Sequence, residues 1–339
     1  MAAMVSAVLI LTTPVVSAVE DPQPKFGDCE NCHADIVNNF SLSLHYTGAG
    51  MKEEYERGAA KEFGIDMDVF YEERNCSRCH ATTCTVCHTG EGGHGGEITL
   101  QTCDQCHLKK QTSYYQGELP AHKSMGPNPD IHYEMGLECT DCHTLAEIHG
   151  DGVAYESQML AVKVTCADCH QDPAKNIRGM NVTQYSQDVT AHSIHDGKLD
   201  CSACHSGWII TCANCHLETG KLDGIEVDRF YLARSADGMI KPFINMTTTY
   251  NDSTHTAFAE WAPHTTTKEA KDCAFCHENR EIFCESCEAK IIGSGGSFLS
   301  QETIDQIYGA HQEVEKTPGF FALLAVAGLL VAYLVRRRG

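Results

Sequence analysis

The sequence predicts a chain of mainly α-helix and irregular coil with little β-sheet, and three observations predict it. All twenty cysteines of the 339 residues fall into ten CxxC pairs with none left over. Nine of those pairs are followed at once by histidine, and they crowd so closely that in "CSRCHATTCTVCH" only Ala81, Thr82 and Thr83 separate two of them, which leaves no room for a conventional domain per motif. The clearest periodic stretches are two amphipathic helices: "MKEEYERGAAKEFG" gathers Tyr55, Ala59 and Phe63 on one face, and "QETIDQIYGAHQEVEK" gathers Ile304, Ile307, His311 and Val314.

The nine complete units are Cys29/Cys32/His33, Cys76/Cys79/His80, Cys84/Cys87/His88, Cys103/Cys106/His107, Cys139/Cys142/His143, Cys166/Cys169/His170, Cys201/Cys204/His205, Cys212/Cys215/His216 and Cys273/Cys276/His277. CxxCH is the attachment sequence of haem c: the two thiols add to the porphyrin vinyl groups and the adjoining histidine binds the iron. Zinc would need pairs of CxxC closing a tetrahedral site, and redox dithiols have no use for a repeated histidine at the next position. Nine covalently attached haems on about 300 residues is roughly one per 33, so the haems are expected to stack and to form the core themselves.

Spacing carries a functional expectation. Four Cα steps from His80 to Cys84 reach at most about 14 Å, so those two porphyrins must lie almost against each other and exchange electrons. An internal repeat follows: His192 precedes Cys201 by nine residues and Cys212 follows by eleven, and His264, Cys273 and Cys284 repeat those intervals. The last unit of the second copy reads "CESCE", with Glu288 where histidine would stand. Three readings compete for Cys284 and Cys287: a tenth haem ligated from elsewhere, a disulfide, or a relic with free thiols. The second and third are favoured, because carboxylate substitutes poorly for imidazole on low-potential iron.

Ten histidines remain outside the motifs, and nine haems with two histidines each would use nine of them. His132, His192, His195 and His264 sit just upstream of motifs and His149 just downstream; with His45, His122 and His255 they form the expected set of distal ligands. His94, in "GEGGHGGE", reads equally as a loop residue exposed to solvent, and His311 as a ligand or a surface residue on its helix. Methionine is the rival ligand at any one iron.

Both ends read as addresses. Residues 1–18 have the apolar run and small-residue cleavage pattern of a secretory signal, although without the usual lysine or arginine. Residues 19–290 form the haem region, 291–317 a "GSGGS" hinge with a short helix, and 318–339 an apolar segment ahead of Arg336, Arg337 and Arg338. That last segment, opening Pro318, Gly319 and Phe320, resembles the archaeal PGF-CTERM sorting signal, which implies transfer to a membrane lipid and display at the cell surface. The alternative is a plain C-terminal membrane anchor. The formal charge of −21 becomes −24 without the three terminal arginines, which argues against a nucleic-acid partner.

Across residues 29–277 the chain resembles a multihaem cytochrome c, in segments such as "CTDCHTLAEIHGDG" and "HDGKLDCSACHSGWIITCANCH". The resemblance implies an extracellular electron carrier that passes electrons from the membrane to an external acceptor or a partner cytochrome, with no catalytic residue of its own. Its alternatives are a multihaem oxidoreductase of the hydroxylamine, nitrite or tetrathionate type acting at one open haem, and the subunit of a homo-oligomeric cytochrome filament. The absence of a CxxCK unit counts against the nitrite-reductase class that uses one.

Overall fold

The computed structural model describes residue 26 and residues 29–316, apart from short stretches at 74–80, 95, 108–110, 120–123, 126–127, 209–211, 217–220, 227–230, 286, 288 and 293–294. The expected signal segment 1–18 and tail 318–339 lie outside the described residues, and so do Cys76, Cys79, His80 and His122.

Most motifs make their own single turn of helix: Cys139–Cys142, Ala167–His170, Cys201–His205 and Cys273–His277 each coincide with one, and Leu100–His107 and Glu30–Phe40 carry two more. Acidic residues placed just before or within the unit start these turns. Asp200 accepts from the Ser202 amide and Asp272 from the Phe275 amide, while Glu138 and Asp141 cap each other reciprocally. Helical residues three apart share a face, so the turn delivers both thiols to one side and the histidine directly after them.

The strands begin with two short ribbons, β1 (Glu118–Leu119) with β2 (Ser124–Met125) and β3 (Asn176–Ile177) with β4 (Met180–Asn181). A six-stranded sheet then follows, of β5 (Cys212–His216), β6 (Lys221–Glu226), β7 (Tyr231–Arg234), β8 (Ile240–Tyr250), β9 (Ser253–Glu260) and β10 (Lys290–Ile292). Its order is β10-β9-β8-β5-β6, with β7 paired to the first half of β8 and β5 running parallel to the second half. β8 and β9 form a hairpin closed by Asn251 and Asp252, both left-handed (φ 47° and 59°), as a two-residue turn between right-twisted strands requires.

This sheet overturns the expected mainly helical and irregular fold with little β-sheet and a core of stacked cofactors. The 56 residues from 217 to 272 contain no cysteine and are rich in β-branched and aromatic types, so they bury themselves. Tyr231, Ala233, Phe243 and Phe258 pack on one face with Cys284, and Ile244, Ala257 and Ala259 pack on the other with Tyr114, Trp208 and Ile292. Phe63, on the apolar face of the first amphipathic stretch, lies on the hairpin, 5.8 Å from the Tyr250 ring.

Two attachment units depart from the regular turn. Cys212 and Cys215, expected to attach a haem together with His216, are residues of β5: Cys215 is in register with Leu222 of β6 and Thr248 of β8. A strand rises more than 3 Å per residue and alternates its faces, so this backbone lacks the helical turn that gathers the other cysteine pairs. Pairing with β8 on one side and β6 on the other holds it extended. In the first unit, Cys32 sits on the helix Glu30–Phe40 next to a kink at His33 (φ −123°, ψ 35°) and is exposed, whereas its partner Cys29 is half-buried.

The helix Gln301–Lys316 is clamped to the sheet side. Ile304 is 1% exposed and joins Leu232, Ile240, Ile282 and Phe283 in a third cluster. Arg280 pairs with Asp305 and stands 4.7 Å from the Tyr308 ring centre. Just before the helix, Ser297 exchanges backbone hydrogen bonds with Arg234 of β7, so the end of the Gly/Ser run is bound to the sheet.

Phe243→Ala in the haem-loaded protein is expected to cost about 3–5 kcal/mol in denaturant unfolding, because a ring that is wholly buried leaves a cavity. Val69→Ala, at a half-exposed position, is expected to stay within about 0.5 kcal/mol of the parent.

Candidate functional site

Seven motif histidines each face a histidine from outside the motifs across nearly the same gap. The ring centres are 6.1 Å apart for His33 and His94, 6.3 Å for His107 and His45, and 6.0 Å for His88 and His149. They are 6.2 Å apart for His143 and His264, and 6.1 Å for His170 and His132. For His205 and His192, and for His277 and His195, the separation is 6.3 Å. Hydrogen-bonded or stacked rings would sit closer. An imidazole nitrogen binds a transition metal at about 2.0–2.1 Å and lies about 1.1 Å from its own ring centre, so two rings on opposite sides of one metal stand about 6.2 Å apart. The gaps therefore fit one iron each. Among the described residues no group of three or more His, Cys, Asp or Glu side chains is placed to hold a bare metal ion, which leaves two-imidazole ligation as the chemistry these donors suit.

Tautomers agree with this. In ten of these fourteen histidines Nδ1 sits against an oxygen acceptor, leaving Nε2 for a metal. Backbone carbonyls serve His45 (Ile148, 3.1 Å), His149 (Leu145, 3.3 Å), His170 (Thr183, 2.7 Å), His192 (Ser186, 2.8 Å) and His195 (Ala191, 2.9 Å). They also serve His205 (Thr267, 3.2 Å), His264 (Ala262, 3.1 Å) and His277 (Ile307, 2.7 Å). Carboxylates serve the other two, Asp130 for His132 and Glu147 for His143. Burial holds His45, His149 and His264 below the ordinary imidazole range and so favours the neutral, ligating ring.

The thiols string the sites together. Cys29 hydrogen-bonds Cys84, Cys87 lies in the field of Cys103 and Cys106, and Cys103 hydrogen-bonds Cys139. Cys142 lies in the field of Cys169, Cys166 hydrogen-bonds Cys201, and Cys204 lies in the field of Cys273 and Cys276. Seven attachment pairs thus form one continuous thread. Its first link runs through Cys29, while Cys32 is exposed. Burial pushes the Cys142 and Cys276 thiols up to about 11 and about 12, which keeps them protonated and slows stray disulfide exchange between such near neighbours.

Apolar side chains beside the motifs remain open: Leu145 is 63% exposed, Leu160 58% and Ile194 52%. The sheet region buries its own apolar surface; these faces suit a flat apolar cofactor such as a porphyrin.

Of the expected distal histidines, His45, His132, His149, His192, His195 and His264 each face a motif histidine. His255 does not among the described residues; its ring is edge-on to Phe63 and it lines a cavity of about 370 Å³ with Glu62, Cys287 and Lys290. His122 lies outside the described residues, and so does the side chain of His311. The Cys212/Cys215/His216 unit is likewise placed only by its backbone on β5. His94, which its glycine loop leaves between ligand and surface, faces His33. Gly90 lets that loop close, because a Cβ there would fall 1.8 Å from the His94 carbonyl oxygen. Cys284 and Cys287, the incomplete unit, form a disulfide.

The ring planes differ in a way that EPR reads. His45 and His107 stand at 86°, whereas His88 and His149, and His143 and His264, stand at 21° and 23°. Oxidised, haem-loaded protein should show two families of low-spin signal, one from near-parallel and one from near-perpendicular imidazoles, and His45→Ala should remove intensity from the second family alone.

Residues 131–217, about a quarter of the chain, match the cytochrome c3 family, and residues 317–338 match the PGF-CTERM motif. No curated protein and no solved structure matches the chain. The first match spans four CxxCH units together with His132, His149, His192 and His195, and supports a multihaem cytochrome that binds haem c covalently. The second marks an exported protein held at the archaeal cell surface.

Proposed function

We propose that the chain is an extracellular electron-transfer conduit that carries nine haems and passes electrons from the membrane to an external acceptor or a partner cytochrome. The observation that carries the reading is the recurrence of one imidazole-to-imidazole gap at seven motifs. Haem, when bound, supplies an iron that cycles between ferric and ferrous by one electron.

The chain's own residues do the rest. Each cysteine pair would hold a porphyrin, and at seven sites the motif histidine and its facing partner would hold the iron between them, leaving those sites no room for a substrate. The cysteine pairs of neighbouring sites lie close together, which would keep the attached haems near one another, as a conduit needs. Cys76/Cys79/His80 and Cys212/Cys215/His216 would complete the nine.

One end of the thread is tied to the anchor. The Ile307 carbonyl on the C-terminal helix accepts from His277 Nδ1, and nine residues, or about 14 Å of helical rise, separate Ile307 from Lys316, where the sorting segment takes over. The Cys273/Cys276/His277 site is thereby the membrane-side terminus.

The test is the haem count by intact mass together with EPR of the oxidised protein. Nine haems, only low-spin iron and rapid reoxidation of the reduced protein by a soluble ferric chelate are expected. High-spin iron whose signal shifts with nitrite or hydroxylamine would contradict the conduit and establish a catalyst. A tenth haem by mass would return Cys284 and Cys287 to the haem sites.

A further inference from the structure

Among the described histidines, only two present Nδ1 to a carboxylate. His132 meets Asp130 at 2.8 Å and His143 meets Glu147 at 3.1 Å. Both carboxylates are buried, with side chains 3% and 8% exposed. Neither is paired with lysine or arginine in the ion pairs of the described residues.

Backbone amides donate to both. Asp130 also accepts from the amides of His132 (2.9 Å) and Thr266 (2.6 Å), and Glu147 from those of Lys163 and Val164 (2.6 Å). A carboxylic acid would have to turn its own proton toward these donors, whereas a carboxylate suits them all. The other eight Nδ1 contacts of the facing histidines go to neutral backbone carbonyls.

We infer that Asp130 and Glu147 are positioning residues that make the His132/His170 and His143/His264 sites the most reducing of the seven. The inference rests on the reading that each facing pair brackets a haem iron. A carboxylate on Nδ1–H draws the proton toward itself and gives the ring imidazolate character, so Nε2 becomes a stronger donor and favours ferric over ferrous iron. A carbonyl does the same only weakly.

The two sites are also neighbours, since Cys142 lies in the field of Cys169. They stand mid-thread, with the attachments at Cys29, Cys84 and Cys103 on one side and those at Cys201 and Cys273 on the other. Charge buried at two adjoining histidines thus divides the conduit into two easily reduced halves joined by a harder step.

The experiment is a redox titration of the haem-loaded full chain, followed by EPR and visible absorption, for the parent, Asp130→Asn and Glu147→Gln. Each amide oxygen can still accept from Nδ1–H, while the amide NH2 takes the place of the oxygen that meets the backbone amides, so a retained low-spin signal is the check that the ring geometry survives. In the parent, the signals lost in His170→Ala and His264→Ala should be the last to reduce. Each amide variant should keep its low-spin signal and raise the ferrous-to-ferric ratio of its own site about tenfold at the parent's midpoint. Asp151→Asn, at an exposed acid, should shift nothing.

Because Asp130 also caps the helix Ile131–Glu134, Glu147→Gln decides the matter if Asp130→Asn lowers the yield. Low-spin iron with unmoved midpoints in Glu147→Gln would overturn the inference, as would a different pair reducing last. Failure of the underlying ligation would show earlier and differently: His170→Ala and His264→Ala would leave the parent's spectrum unchanged.

Discussion

One imidazole-to-imidazole distance, repeated at seven motifs, organises this chain. It is short and nearly invariant, and here it links segments far apart in sequence: His33 to His94, His45 to His107, His88 to His149 and His143 to His264. Each link closes a loop of tens of residues, an entropic cost that one-turn helices and exposed apolar faces cannot offset alone. On the proposed ligation, haem binding and folding are coupled over most of residues 29–208, as in other chains whose metal sites supply the folding free energy.

The sheet answers the same problem by other means. Residues 231–260 bury Phe243, Phe258 and Leu232 almost completely, and the disulfide of Cys284 and Cys287 sits against that core, at the place where the repeat would call for a haem unit. Cross-linked and apolar, this part can hold the C-terminal helix firmly, and that helix in turn presents the Ile307 carbonyl to His277. The C-terminal part of the described chain is thus built on conventional packing, and the facing histidines and motif cysteines extend from it.

How much of this the sequence discloses depends on the kind of interaction. Covalent attachment is written locally, so all nine CxxCH units are legible, and the acidic caps at Asp200 and Asp272 are visible beside them. What a unit's backbone does is less local: Cys212 and Cys215 carry the same motif as their neighbours, yet pairing with β6 and β8 draws them into a strand. The sheet itself is hidden by the motifs, because a chain expected to wrap haems turns attention from the stretch between His216 and Cys273. Its run of Thr, Ile and Phe around Asn251-Asp252 is nonetheless a hairpin signal. Ligand pairing is illegible for a different reason. His192 faces the motif just downstream, yet His264, its equivalent in the repeat, faces His143 instead of His277. Equal spacing in sequence does not fix which chain segment folds back. His94 is obscured by its glycines, which read as looseness but serve a tight closure at Gly90.

The account stands on iron lying between the facing histidines. An experimental structure of the haem-loaded chain, with data collected at the iron absorption edge, tests it most directly. Anomalous peaks midway between His33 and His94, His45 and His107, His88 and His149, His132 and His170, His143 and His264, His192 and His205, and His195 and His277 are the predicted result. Irons displaced from those midpoints, or ligated by other side chains, would contradict it.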